Sequence, residues 1–133
     1  MKFVIDCSFS SALFLPDEKS DSIRTFFINL KDSDQIYIPL LWWYESINVL
    51  NVSLKRKRLN FNAISKIIEL FDKMPIETDI SYGSHYSKNI FELTQLYKIS
   101  AYDAAYIELA VRKKAKLMTL DKDLIKASEI VGV

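Results

Sequence analysis

The chain has 133 residues, half of them hydrophobic, enough for one domain that buries about two thirds of its unfolded surface without a covalent staple. Its 18 Lys and Arg nearly cancel its 17 Asp and Glu, so net charge exerts no general pull toward nucleic acid or membrane, and a polyanion must be met by a local site. One cysteine (Cys7), one histidine (His85) and two glycines exclude an intramolecular disulfide, a Cys/His zinc site and Gly-rich phosphate loops, and argue against a Ser/His/Asp triad.

In chain order, "KFVID" is a short apolar run that reads as a strand, and it closes on Asp6 before the Ser-rich turn "CSFSS". It has too few apolar residues for a signal-peptide core. A helical pattern follows over 20–30, then a strand "IYI" over 36–38. "PLLWWYESINVLNVSLKRKR" (39–58) and "NFNAISKIIELFDKM" (60–74) carry helical spacing, and Phe26, Phe27, Leu30, Ile64, Ile67, Ile68 and Phe71 are the core residues it predicts. The apolar run "IYIPLLWWY" is far short of the roughly 20 residues a membrane helix needs, so a soluble, cytoplasmic protein is expected. A third strand, "IETD", leads to a helix over 84–97, and a fifth helix begins at "ISAYDAAYIELA" and runs to Lys113 or Lys114. "KLMTL" (116–120) is the fourth strand, closing on Asp121 before "KDLIKAS", and the terminal "EIVGV" is a candidate short final strand. No linker or repeat divides the chain, and strands alternating with helices indicate one α/β unit, residues 1–133, around a mainly parallel sheet of four to five strands.

The remaining candidates for chemistry are carboxylates. Ligands of parallel sheets bind beyond the carboxyl ends of the strands, where Asp6 and Asp121 stand. Each also has an ordinary explanation, since an Asp between strand and helix caps the helix for about 1 kcal/mol. Asp103 has one too: "SAYD" matches a capping box with Ser100 as the cap. Helical spacing nevertheless puts Asp103 on one face with Ile107, Ala110 and Val111, at the head of a buried stripe, while Ala101, Ala105, Glu108 and Arg112 form the opposite face, where Glu108 and Arg112 can pair. Glu45 is the sharper anomaly. It lies in a segment apolar on nearly all sides, where an unpaired carboxylate costs several kcal/mol or stays protonated. Asn48 shares its face but carries no charge, and the basic run Lys55 to Arg58 is about two turns or more away. Four acids converging from four segments would repel one another. A hard divalent cation resolves that, and Mg²⁺ or Mn²⁺ suits an all-oxygen donor set.

The pieces "FVIDCS", "PLLWWYESINVL", "SAYDAAYIELA" and "LMTLDKDL", in this order and spacing, resemble PIN-domain ribonucleases, in particular the VapC toxins of bacterial and archaeal toxin-antitoxin pairs. The resemblance spans essentially the whole chain. It implies a three-layer α/β/α sandwich and a metal-dependent endoribonuclease whose acidic site falls on Asp6, Glu45, Asp103 and Asp121, with Ser8 and Thr119 as hydroxyl partners and Asn48 as a supporting amide. Asp123 reads either as an extra acid or as the second residue of the last helix, the latter being preferred. Cys7 stands where the family often has a small residue. With these ligands, Mg²⁺ would lower the pKa of a water that attacks phosphorus in line, leaving 5′-phosphate and 3′-OH. The lone histidine argues against a ribonuclease built on two imidazoles. The implied partners are RNA, an antitoxin protein and a second copy of the chain.

Trp42, Trp43 and Tyr44 exceed what one helix face buries, so part of this cluster is expected to face a partner chain or antitoxin helix. "KRKR" reads first as a solvated helix end and second as a phosphate contact, and His85 is assigned no function. A phosphorelay receiver-like module, the main rival, expects adjacent acids after the first strand, whereas Asp6 is followed by Cys7. A second rival keeps the fold but only binds a partner. The presence of all four acids argues against it.

Overall fold

The computed structural model describes residues 1–15 and 20–133. In chain order the elements are β1 (Lys2–Ile5), α1 (Cys7–Ser11), α2 (Ser20–Ile28), β2 (Gln35–Pro39), α3 (Leu41–Lys55), α4 (Phe61–Phe71), β3 (Ile76–Asp79), α5 (Ser84–Tyr97), α6 (Ala101–Lys113), β4 (Lys116–Met118) and α7 (Lys122–Val131).

The strands form one sheet in the order β3-β2-β1-β4, and every pair is parallel. From β1 the chain builds outward through β2 to β3, then returns to add β4 on the other side of β1. Strand alternation divides the core accordingly. Phe3, Ile5, Ile36 and Ile38 face a cluster shared with α1 to α4, whereas Val4, Tyr37 and Leu117 face a second cluster formed with α6 and α7. The result is an α/β/α sandwich with β1, buried on both faces, at its centre.

Several expectations change at this level. The terminal "EIVGV" is no strand: Glu129 to Val131 complete α7, whose Leu124, Ala127 and Ser128 are buried at helical spacing, and Gly132 ends it at a left-handed φ of 88°. The sheet among the described residues therefore has four strands. Helix α3 starts after Pro39, which belongs to β2, and stops at Lys55, because Arg56 caps it and Lys57 turns the chain at a φ of 57°. Only the first residue of "KRKR" is thus helical.

Trp42 is fully buried, donates its indole N–H to Ser10 Oγ at 2.9 Å and packs edge-on against Trp43 and Phe71. Trp43 packs against the same cluster and bonds Thr78 Oγ1 at 3.0 Å. Of the three aromatics only Tyr44 faces outward, 73% exposed. Among the predicted core residues, Ile67 and Phe71 are buried and Phe26, Phe27, Leu30 and Ile64 pack against them, but Ile68 is largely exposed. The two-faced picture of α6 holds in part: Glu108 and Arg112 pair at 2.7 Å as expected, but Ala105 is buried and Val111 is not. Ala104 to Ile107, Leu109 and Ala110 are all buried, because this helix lies between the sheet and helices α5 and α7, while Val111 is 49% exposed. Among the described residues no helix is long and apolar enough to cross a membrane.

Candidate active site at the carboxyl ends of the strands

The reversal of strand order puts the ends of β1 and β4 side by side, the position at which parallel α/β sheets bind ligands. Asp6 follows β1 and Asp121 follows β4 there. Asp6 leaves β1 in extended conformation and N-caps α1: its Oδ1 accepts the Phe9 N–H at 2.9 Å. The Ser8 hydroxyl lies 2.7 and 2.9 Å from its two oxygens, and the Thr119 hydroxyl donates to Oδ2 at 2.5 Å. Ser8 Oγ in turn accepts the Leu120 N–H, and Thr119 Oγ1 accepts the Asp121 N–H, each at 3.0 Å. These two hydroxyls therefore tie the β1 and β4 loops together around one carboxylate. Burial pushes the Asp6 pKa up, the three donors act against that shift, and nearby Asp121 reinforces it.

Asp121 is exposed, N-caps α7 and accepts the Leu124 N–H at 2.9 Å. Asp103 stands in the first turn of α6, its N–H bound to Ser100 Oγ at 3.1 Å, so the cap predicted at Ser100 forms. Burial raises the Asp103 pKa, and Asp121, Asp6 and Asp123 raise it further. Glu45 projects from α3, half-buried, and its Oε1 accepts the Tyr106 hydroxyl at 2.6 Å. Its pKa is raised by burial and by Asp6 and Asp103, with the Tyr106 bond opposing. Asp6 thus feels Asp121, Glu45 feels Asp6 and Asp103, and Asp103 feels Asp6 and Asp121, and among the described residues no basic side chain is one of the groups that shift Asp6, Glu45 or Asp103. Among the described residues, however, no three His, Cys, Asp or Glu side chains already converge as a metal-holding group.

The other sequence candidates fall around this cluster. Asp123 is exposed in the first turn of α7 and lines an open groove with Asp103. Asn48 is exposed and lines a different groove, with Leu15, Arg56 and Arg58. Cys7 is buried beside Ser11 and Ser46, where its thiol pKa is raised by burial.

Tyr106 is the residue that sequence reading missed. It is 2% exposed, and burial together with its bond to Glu45 pushes its pKa far up, so the phenol stays a hydrogen-bond donor. The available signal was its place one helical turn after Asp103, but nothing local shows that Glu45, 61 residues earlier, receives the bond.

The fold is a three-layer parallel α/β sandwich with a candidate carboxylate site near its topological switch point. The chain belongs to the PIN domain family, whose model matches residues 3–130. Ribonuclease VapC3 of Pyrobaculum aerophilum is 28% identical over 124 residues, covering 93% of this chain and 92% of that protein. Two crystal structures share the fold. PAE2754 of P. aerophilum superposes with a TM-score of 0.73 at 17% identity, over 96% of this chain and 84% of its own. VapC20 of Mycobacterium tuberculosis, a toxin that cleaves the sarcin-ricin loop, does so with a TM-score of 0.69 at 14% identity, over 94% of each chain.

Proposed function

We propose that this protein, acting as a single PIN-like unit over residues 1–133, is a divalent-metal-dependent endoribonuclease and the toxin of a toxin-antitoxin pair. The observation that carries the reading is the group of acids around the switch point, of which Asp6, Glu45 and Asp103 have their pKa raised by burial and by neighbouring acids, with no basic side chain among their perturbing groups within the described residues. Kinship with a ribonuclease of the VapC group supports it. The donor set is oxygen only and suits Mg²⁺ or Mn²⁺, with Asp6, Glu45, Asp103 and Asp121 as the residues that would hold the ion. When bound, such an ion supplies charge neutralisation at the scissile phosphate and activation of the attacking water.

The chain's own residues prepare this chemistry. Ser8, Thr119 and the Phe9 N–H hold Asp6 in one orientation, and Tyr106 does the same for Glu45. Asp121 is placed as the N-cap of α7, and Asp103 by the first turn of α6. Burial keeps competing solvent away from Asp6, 5% exposed, while the exposed Asp121 remains open to an incoming phosphodiester. Products of in-line attack by water carry 5′-phosphate and 3′-OH. A cytoplasmic location, an antitoxin partner and a homodimer belong to the same proposal, with Tyr44 as an outward aromatic available to a partner.

Purified protein freed of any antitoxin is expected to cleave RNA with Mg²⁺ or Mn²⁺ and to stop in excess EDTA, while Asp6→Asn is inactive. Cleavage that continues in EDTA, or at equal rate in the variant, would refute the metal-carboxylate mechanism. A receiver-like module predicts no cleavage but phosphorylation of an aspartate by a small phosphodonor, which mass spectrometry would detect.

A further inference from the structure

An open groove of about 840 Å³ that includes Asp103 lies between the start of α6 and one face of α7. Helix α7 contributes Asp123, Lys126, Ala127 and Ile130, which at i, i+3, i+4 and i+7 form a single stripe. The opposite wall is the α5–α6 turn, with Lys98 and Asp103. Lys98 caps α5 in the left-handed region, at a φ of 54°, so the chain presents it at a sharp bend. Lys98 and Lys126 are both exposed, and neither takes part in an ion pair with a described residue.

Resting on the ribonuclease reading above, we infer that this groove is the track of single-stranded RNA into the site, with Lys98 and Lys126 contacting its phosphates. The acids repel a polyanion, and a net charge of +1 offers no general attraction, so the positive charge that guides a strand must lie beside them. The groove meets this need. It includes Asp103 and Asp123, carries two lysines on its walls, and presents apolar surface at the exposed Leu96 and Ile130, which suits sugar and base faces. A flexible single strand can bend a phosphodiester into the recess around Asp6, where a regular duplex keeps its backbone on the outside. The other lysine-rich cavity, with Lys2, Lys114 and Lys116, lies at the opposite end of the sheet. Lys2 and Asp6 are separated by the length of β1, about 13 Å at roughly 3.3 Å per residue.

Fluorescence anisotropy with a short single-stranded RNA in EDTA, over a series of salt concentrations, tests this. For single strands each lost phosphate contact lowers the slope of log affinity against log salt by about 0.7. The double variant Lys98→Gln/Lys126→Gln is expected to lose about 1.4 in slope and on the order of tenfold in low-salt affinity, with an unchanged melting temperature. Lys114→Gln/Lys116→Gln is expected to lose neither. An unchanged slope in the first variant, or an equal loss in the second, overturns the track. If the wild type cleaves RNA and the first variant keeps both slope and KM, the track fails while the ribonuclease reading stands. If the wild type binds RNA with the lysine-dependent slope but never cleaves it, the reverse holds. A wild type that neither binds nor cleaves RNA overturns both.

Discussion

Two groups of carboxylates in this protein meet opposite fates. At the edge of the sheet, Arg112 of α6 donates to both oxygens of Asp79 at 2.9 and 2.7 Å and to Glu108 at 2.7 Å, and its guanidinium holds the Asp79 carboxyl below the ordinary range. At the switch point, Asp6, Glu45 and Asp103 receive hydroxyl and amide donors but, among the described residues, no cation, and burial and mutual repulsion hold them above that range. Glu108, which pairs with Arg112, lies only five residues from Asp103 on the same helix. The comparison separates acids that the fold neutralises itself from acids whose charge is left for an outside partner.

Variants that disturb one group and spare the other sharpen this contrast. The largest effect is expected from Asp121→Asn. Asparagine caps helices as well as aspartate, so the melting temperature should stay within about 1 °C, whereas RNA cleavage should fall on the order of 100-fold or more if this charge helps hold an ion. A stable variant with full activity would remove Asp121 from the site. Next is Tyr106→Phe, which deletes the one donor that the described residues place on Glu45. A hydrogen bond to a charged group contributes roughly 1.5–3 kcal/mol, reduced here because Glu45 is only half-buried. Cleavage should drop about tenfold and Mn²⁺ affinity, followed by calorimetry, should weaken in parallel. Unaltered Mn²⁺ binding would show that the phenol is only packing.

A smaller effect belongs to the edge group. Arg112→Ala should lower stability by about 0.5–1 kcal/mol, a partly exposed bridge at 38% and 14% side-chain exposure being screened by water, and leave RNA cleavage unchanged. Because the folded-state pKa of Asp79 is depressed, the stability it contributes is complete above the ordinary carboxylate value of about 3.9 and is lost as pH falls through the lower folded value. Thermal melts should therefore show the difference between wild type and variant shrinking below about pH 4. A gap that persisted there would mean that Arg112 acts through packing.

The smallest shift has the opposite sign. The raised pKa of Asp103 means that its ionised form is disfavoured on folding, so without metal Asp103→Asn should raise the melting temperature by about 1–2 °C at neutral pH. That gain should vanish below the ordinary carboxylate range, where aspartic acid is neutral in both states. A lower melting temperature at neutral pH would place Asp103 with the neutralised acids instead.

Much of this was legible residue by residue. "KFVID" and "KLMTL" announce strands that end in helix-capping acids because β-branched runs and N-cap chemistry are local, and "SAYD" announces the cap at Ser100 for the same reason. The end of α3 was misplaced because the left-handed turn at Lys57 uses a residue with no turn signature. "EIVGV" resembled a strand through its β-branched residues, but burial of Leu124, Ala127 and Ser128 against the rest of the molecule extends α7 through it.

By itself the sequence determined the alternation of strands and helices and the acids at their junctions, because hydrogen-bonding and periodicity over a few residues decide both. Which acids meet, and which are neutralised, was decided by tertiary structure. The strand order β3-β2-β1-β4 brings the ends of β1 and β4 side by side. Packing α6 between the sheet and its neighbouring helices aims Tyr106 at Glu45 and Arg112 at Asp79. Pairings across 61 and 33 residues depend on loop closure and core packing, so no local pattern encodes them.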